Sequence, residues 1–140
     1  MATTRGCKGV VKIKAVGATS ATNAVAELAD WSYDESAEQI DVSAMGTCTK
    51  KYDAGAQSTT GQIRCHWDGT DTTGQNLLVV GSAVIIEVYP GGTATGTKYY
   101  KTGASGATIL SVNRAGNGVD GTVGATFGYA VNGAMTATTA

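Results

Sequence analysis

Gly121-Thr122-Val123-Gly124-Ala125-Thr126-Phe127-Gly128-Tyr129-Ala130-Val131 alternates along its whole length. Val123, Ala125, Phe127, Tyr129 and Val131 fall on one face, and Thr122, Gly124, Thr126, Gly128 and Ala130 on the other. A period of two marks a β-strand with one buried face. The second face carries nothing larger than Thr, which suits close packing against it or a crowded symmetric centre. Residues 61–68 repeat the pattern, with Ile63, Cys65 and Trp67 opposite Gln62, Arg64, His66 and Asp68. These two segments set the expectation of an all-β chain.

Other segments extend it. Val10-Val11-Lys12-Ile13-Lys14-Ala15 alternates. Between Val25 and Tyr33 the odd positions are mostly apolar, with Leu28 as an exception that leaves the register open. Residues 83–89 form an apolar run broken only by Glu87 and stopped by Pro90-Gly91-Gly92, which reads as a well-buried strand. Residues 98–102 and 107–114 read as strands around a turn at 103–106. Thr72-Thr73-Gly74-Gln75 resembles a capping box, and Gly81 closes the segment Asn76-Leu77-Leu78-Val79-Val80. One short α-helix is expected there. Residues 47–61 are polar and without period, so residues 44–60 are expected to form a long excursion, and such loops tend to be functional. Residues 132–140 are expected as a flexible C-terminal arm. The sum is one domain over residues 1–140: about seven antiparallel strands in a sandwich or barrel, with one helix on its flank.

Composition agrees. Of the 140 residues 20 are Gly and one is Pro; 42% are apolar and only 15% charged, and Thr is abundant. A net charge of −1 and a pI near 5.7 disfavour sequence-specific duplex binding and leave self-association unopposed by charge. The first residues lack the apolar core of a signal peptide, and no apolar run approaches the ~20 residues that span a membrane, so a cytoplasmic origin without membrane insertion is expected. Cys7, Cys48 and Cys65 are odd in number and widely spaced, which fits free, partly buried thiols rather than disulfides or a zinc site.

Candidate chemistry is thin. His66, the single histidine, sits on a polar strand face between Arg64 and Asp68, and no Gly-x-Ser-x-Gly elbow occurs. Cys65 and His66 point to opposite faces and cannot easily share a metal. The acids Asp34, Glu35, Glu38 and Asp41, and the segment Asp68-Gly69-Thr70-Asp71, lack the spacing of a calcium loop. Pairs of acids suited to glycoside hydrolysis arise in any chain with eleven acids. Gly116, Gly118 and Gly121 make a Gly-x-Gly-x-x-Gly, but ahead of a strand rather than a helix, so a turn is expected. The reading is of a non-enzyme without catalytic residues, metal or cofactor.

Three stretches, in order, carry a resemblance. Trp31-Ser32-Tyr33-Asp34-Glu35-Ser36-Ala37-Glu38-Gln39-Ile40-Asp41-Val42-Ser43-Ala44-Met45-Gly46 is the first. The second is His66-Trp67-Asp68-Gly69-Thr70-Asp71-Thr72-Thr73-Gly74-Gln75. The third comprises Val88-Tyr89-Pro90-Gly91-Gly92, Tyr99-Tyr100, Val119-Asp120-Gly121 and Asn132-Gly133-Ala134-Met135-Thr136. Together they resemble the tail tube (major tail) proteins of long-tailed bacteriophages and gene transfer agents over residues 26–136. The resemblance implies a structural virion protein whose hexameric rings stack into a tube that delivers DNA. Strands of all subunits would join into one inner barrel, with loops and termini bridging the rings. Implied partners are further copies of the chain, a tape measure protein, tail terminator and distal tail proteins, and phage DNA in transit. On this reading Met45, Lys50, Lys51, Tyr52 and Asp53 belong to the inter-ring loop. A polyanion must slide without sticking, so Asp30, Asp34 and Glu87 are expected to line the lumen. The rival is a monomeric carbohydrate-binding or immunoglobulin-like decoration module using Trp31, Trp67, Tyr99 and Tyr100 as a platform. Both Trp fall on apolar faces, which favours core.

Overall fold

In the computed structural model, which describes residues 8–19, 21–46, 48–116, 118–119 and 121–140, nine strands make one antiparallel sheet. They are β1 (Val10–Ala15), β2 (Asn23–Ala24), β3 (Leu28–Asp41), β4 (Tyr52–His66), β5 (Ala83–Tyr89), β6 (Lys98–Lys101), β7 (Ala107–Gly116), β8 (Val123–Val131) and β9 (Thr136–Thr139). The alternating segments behave as their patterns require. Ala125, Phe127 and Tyr129 of β8 are buried, as are Ile63 and Cys65 of the β4 strand beside it. Gln62, Arg64 and His66 face solvent.

The sheet curls around a single core and divides at β5. The first half of β5 pairs with β7 (Ala83 with Thr108, Val84 with Ala107), and the second half with β6 (Glu87 with Lys101, Val88 with Tyr100). Ile86 lies between the two partners. Buried Thr102 fills the gap: its Oγ1 accepts from the Ile86 amide at 3.2 Å, and its own amide donates to the Ile86 carbonyl at 3.1 Å. One layer is therefore β2-β1-β5-β6-β9 and the other β7-β8-β4-β3. Val11, Ile13, Ile86 and Val88 of the first layer meet Ile63, Phe127, Ile109 and Tyr129 of the second in one hydrophobic core.

Four expectations are corrected. The expected α-helix is a three-residue 3₁₀ turn, Gln75–Leu77. Gln75 does not reach back to a cap. Its fully buried amide spans three backbone groups, accepting from the Asp68 amide (3.0 Å) and donating to the carbonyls of Ala26 (2.8 Å) and His66 (2.9 Å). Asp71, not Thr72, takes the Gln75 amide, at 3.0 Å. Ser82 Oγ then donates to the Val79 carbonyl at 2.6 Å, so the chain turns instead of continuing the coil.

The second correction concerns the polar excursion: Tyr52–Thr60 belongs to β4 and pairs with β3 as far as Asp41 with Tyr52. The third is the C-terminal segment, which is not a free arm: β9 pairs with β6 through four residue pairs, and Met135 is buried. The fourth is Cys48, which is exposed; only Cys65 is buried, and Cys7 lies outside the described residues. The Leu28 exception is explained by a bulge. Leu28 pairs with Cys65 and Asp30 with the adjacent Arg64, so one extra residue on β3 reverses the side-chain parity.

Candidate functional site

The outer face of the four-stranded layer is smooth apart from Leu110, which stands exposed at the β7 bulge beside Ser111 and Gly128. On β8 it carries Gly124, Thr126, Gly128 and Ala130; from β7 come Ser111, Asn113 and Ala115, each paired with one of the first three. The Ser111 side chain leans over Gly128, where a Cβ would lie 2.5 Å from its Oγ. On β4 and β3 the same face carries Gln62, Arg64, His66, Asp30, Ser32 and Asp34. Arg64 and Asp30 form an exposed ion pair at 3.8 Å, and Thr122 Oγ1 lies 3.4 Å from His66 Nδ1. The strand segments of this face thus hold two carboxylates against one guanidinium, with no other formal charge when His66 is neutral.

Asp30 and Asp34 share this face, but Glu87 does not. Glu87 lies on the outer face of the other layer, between Lys12 and Lys101 of the neighbouring strands. It accepts from the Tyr89 hydroxyl at 2.7 Å. Burial, then this hydrogen bond, holds the Tyr89 hydroxyl well above the usual phenol range. Tyr89 in turn stacks on Tyr99 with centroids 4.5 Å apart, and Lys12 Nζ lies 5.1 Å from its ring centre. The three acids expected on one surface are thus split between opposite sides of the molecule.

The four-stranded layer ends in two bare borders. Among the described residues β3 pairs only with β4, leaving the other side of a 14-residue strand without a backbone partner. On β7, Ala107 to Ile109 are covered by β5 and the Gly81-Ser82 segment, but, among the described residues, residues 110–116 pair only with β8. Such long exposed borders are sites of strand addition.

Beyond Thr60, where β4 leaves β8, the rest of β3 and β4 runs on as a two-stranded arm. With ~3.3 Å per residue, residues 35–41 carry it roughly 20 Å past the layer. The residues expected in the inter-ring loop lie at its end. Met45, Lys50 and Lys51 are in the connecting turn, and Tyr52 and Asp53 open β4. The turn is closed by Val42 N to Lys51 O (3.0 Å), Lys51 N to Ser43 Oγ (2.7 Å) and Ser43 N to Asp41 Oδ1 (2.9 Å). Hydrogen bonding from the Ser43 side chain, then from its amide, holds the Asp41 carboxyl below its ordinary range. Ile40, Val42, Met45 and Tyr52 are all exposed, which concentrates apolar surface at the tip.

The remaining candidates do not assemble into a site. Cys65 faces the core, where burial pushes its thiol up to about 11, while His66 faces solvent. No group of three or more His, Cys, Asp or Glu converges among the described residues. Asp68 caps its own turn through Thr70. The aromatic platform is absent: Trp31 and Tyr100 pack on the core, Tyr99 is stacked on Tyr89, and Trp67 lies under Arg114 at 4.4 Å. The sequence implied that strands of neighbouring subunits join through open sheet edges, but not which strands hold the bare borders. A border strand differs from an interior one only in what lies beside it, so composition carries no signal for it.

No protein-family model matches the sequence, and no curated protein matches it significantly. Solved structures do. The tail of an empty gene transfer agent particle with C6 symmetry superposes with a TM-score of 0.75 at 17% identity, covering 97% of this chain and 99% of that one. The SPP1 tail tube gives 0.73 at 12% identity over 99% of this chain and 80% of that one. The sheath-tube complex of an extracellular contractile injection system, PVC, gives 0.67 at 12% identity over 99% and 93%. The chain therefore has the fold of tail tube subunits.

Proposed function

We propose that this chain is a structural, non-enzymatic subunit of a tail tube. It closes into rings by pairing the bare border of β3 in one copy with that of β7 in the next, and it stacks the rings through the β3–β4 arm. The observation that carries the reading is the pair of borders. All neighbours in the order β7-β8-β4-β3 are antiparallel, so β3 and β7 run in opposite senses. Placing β3 beside the next copy's β7 thus continues the antiparallel ladder, and the contact is heterologous, as ring closure requires. Sixfold closure, as in the C6 gene transfer agent tail, would make a wall of six four-stranded layers. At ~4.8 Å between strands such a wall is roughly 35–40 Å across between backbones.

In this arrangement the smooth face lines the bore. Asp30 and Asp34 stand there and Arg64 is neutralised by Asp30, while Glu87 lies on the outside of the tube. Phage DNA in transit meets mostly uncharged polar side chains, with Leu110 among them, and a slight excess of negative charge, which disfavours sticking. A tape measure protein inside, terminator and distal tail proteins at the ends, assembly in the host cytoplasm and a final place in the virion tail belong to the same proposal. The test is negative-stain microscopy of the purified chain with sedimentation at rising concentration. Hollow tubes or rings support the reading, and a 14 kDa monomer at every concentration overturns it.

A further inference from the structure

We infer that the groove between Lys14 and Lys101 receives the Glu38/Ile40 face of the arm of a second copy, in the neighbouring ring. This deepens the tail tube reading and rests on it. A net charge of −1 hides a marked segregation. Strand β3 holds Asp30, Asp34, Glu35, Glu38 and Asp41 and no cation. Lysines gather on the other layer: Lys12 and Lys14 on β1, Lys98 and Lys101 on β6.

The groove, of about 300 Å³, lies on the outer face of that layer, with Lys14 and Lys101 among its walls and Ile85, Thr102 and Glu87 beside them. Glu87 is already engaged by the Tyr89 hydroxyl and flanked by Lys12 and Lys101, so the groove is basic with an apolar patch. The arm offers the complement. A Cβ built on Gly55 would lie 3.0 Å from Ile40 Cδ1 and 3.1 Å from Glu38 Cβ, so both side chains lean over the glycine on one face. That face presents Glu38, and Asp53 directly opposite Ile40, beside one exposed isoleucine. Lys50 and Lys51 lie beyond it, in the turn.

No arm residue lines the groove within one molecule. The complement is carried by the same chain at a different place, which is what a head-to-tail contact between copies requires. A second copy is therefore the occupant, rather than an unrelated acidic protein.

The test is a charge exchange: Glu38→Lys alone, Lys101→Glu alone, and both together, read as sedimentable tube and as tube length by negative stain. Each single change should cut tube yield about tenfold or more, and the pair should return it to within about twofold of the original. Glu38 is on the exposed arm, so the melting temperature of Glu38→Lys should not move. If Lys101→Glu beside Glu87 fails to fold, Lys14→Glu takes its place. Wild-type yields from both singles, or a pair no better than the weaker single, overturn the contact and leave the tube reading standing; an acidic outer protein as the occupant would give that result. Rings of the unmodified chain that never stack overturn this contact alone; a monomer at every concentration overturns the tube reading, and this contact with it.

Discussion

Gln75 shows how a single side chain can decide a region. Its buried amide ties the Asp68 turn, the end of β4 and the approach to β3 together through three hydrogen bonds. Gln75→Leu keeps a side chain of similar size but strands three partly buried backbone groups, so a loss of about 3 kcal/mol is expected in chemical denaturation. A loss below about 1 kcal/mol would show that water replaces the amide. The same residue explains the misread helix: Thr72-Thr73-Gly74-Gln75 carries a genuine local capping signal, but a non-local use of the Gln75 side chain competes with it and wins. Cys65 provides a second test. Its thiol titrates near 11 in the fold against an ordinary 9.0. Below pH 9 it is protonated folded or unfolded and costs nothing. Above pH 9 the unfolded chain ionises first, so stability falls as pH rises through about 11. Melting temperatures between pH 8 and 11 should fall more steeply for the wild type than for Cys65→Ala; equal slopes would contradict the burial. At neutral pH a thiol reagent should modify Cys48 and spare Cys65.

Strands were legible in the sequence where one face is buried and the other is not. β8 and the second half of β4 satisfy that condition, and their period of two survives intact. The first half of β4 does not. Residues 52–58 stand in the arm with both sides in water, so nothing enforces alternation, and a bulge near Gly55 shifts what pattern remains. The segment therefore passes for a loop. β9 is too short, and its Thr-Ala-Thr-Thr too uniform, to show a period. The arm's strand character bears on how its role is tested. Deleting residues 47–59 would strip the partner from residues 35–41 and expose a long unpaired strand. Replacing residues 38–56 with Asn-Gly closes the hairpin at the Ala37–Gln57 pair and leaves the core untouched. That variant should fold with a melting temperature within a few degrees of the wild type. It should give rings or short oligomers without elongated tubes; tubes of normal length would remove the arm from ring stacking.

For the molecule as a whole, the central claim is that the four-stranded layer is an unfinished piece of wall. Its inner side is satisfied by the core, its outer side is smooth and near neutral, and its two borders hold unpaired backbone that a copy of the same chain can complete. The order of strands that creates these borders was not legible in the sequence, because long-range pairing follows from how layers share one core rather than from any local pattern. A helical cryo-EM reconstruction of tubes grown from the purified chain, at a resolution that traces the main chain, measures the wall directly. The expected map has β3 of each subunit hydrogen-bonded antiparallel to residues 110–116 of the next, with Asp30 and Asp34 toward the bore and Glu87 outside. A wall closed through other strands, or a bore lined by Lys12, Lys14 and Lys101, would contradict it.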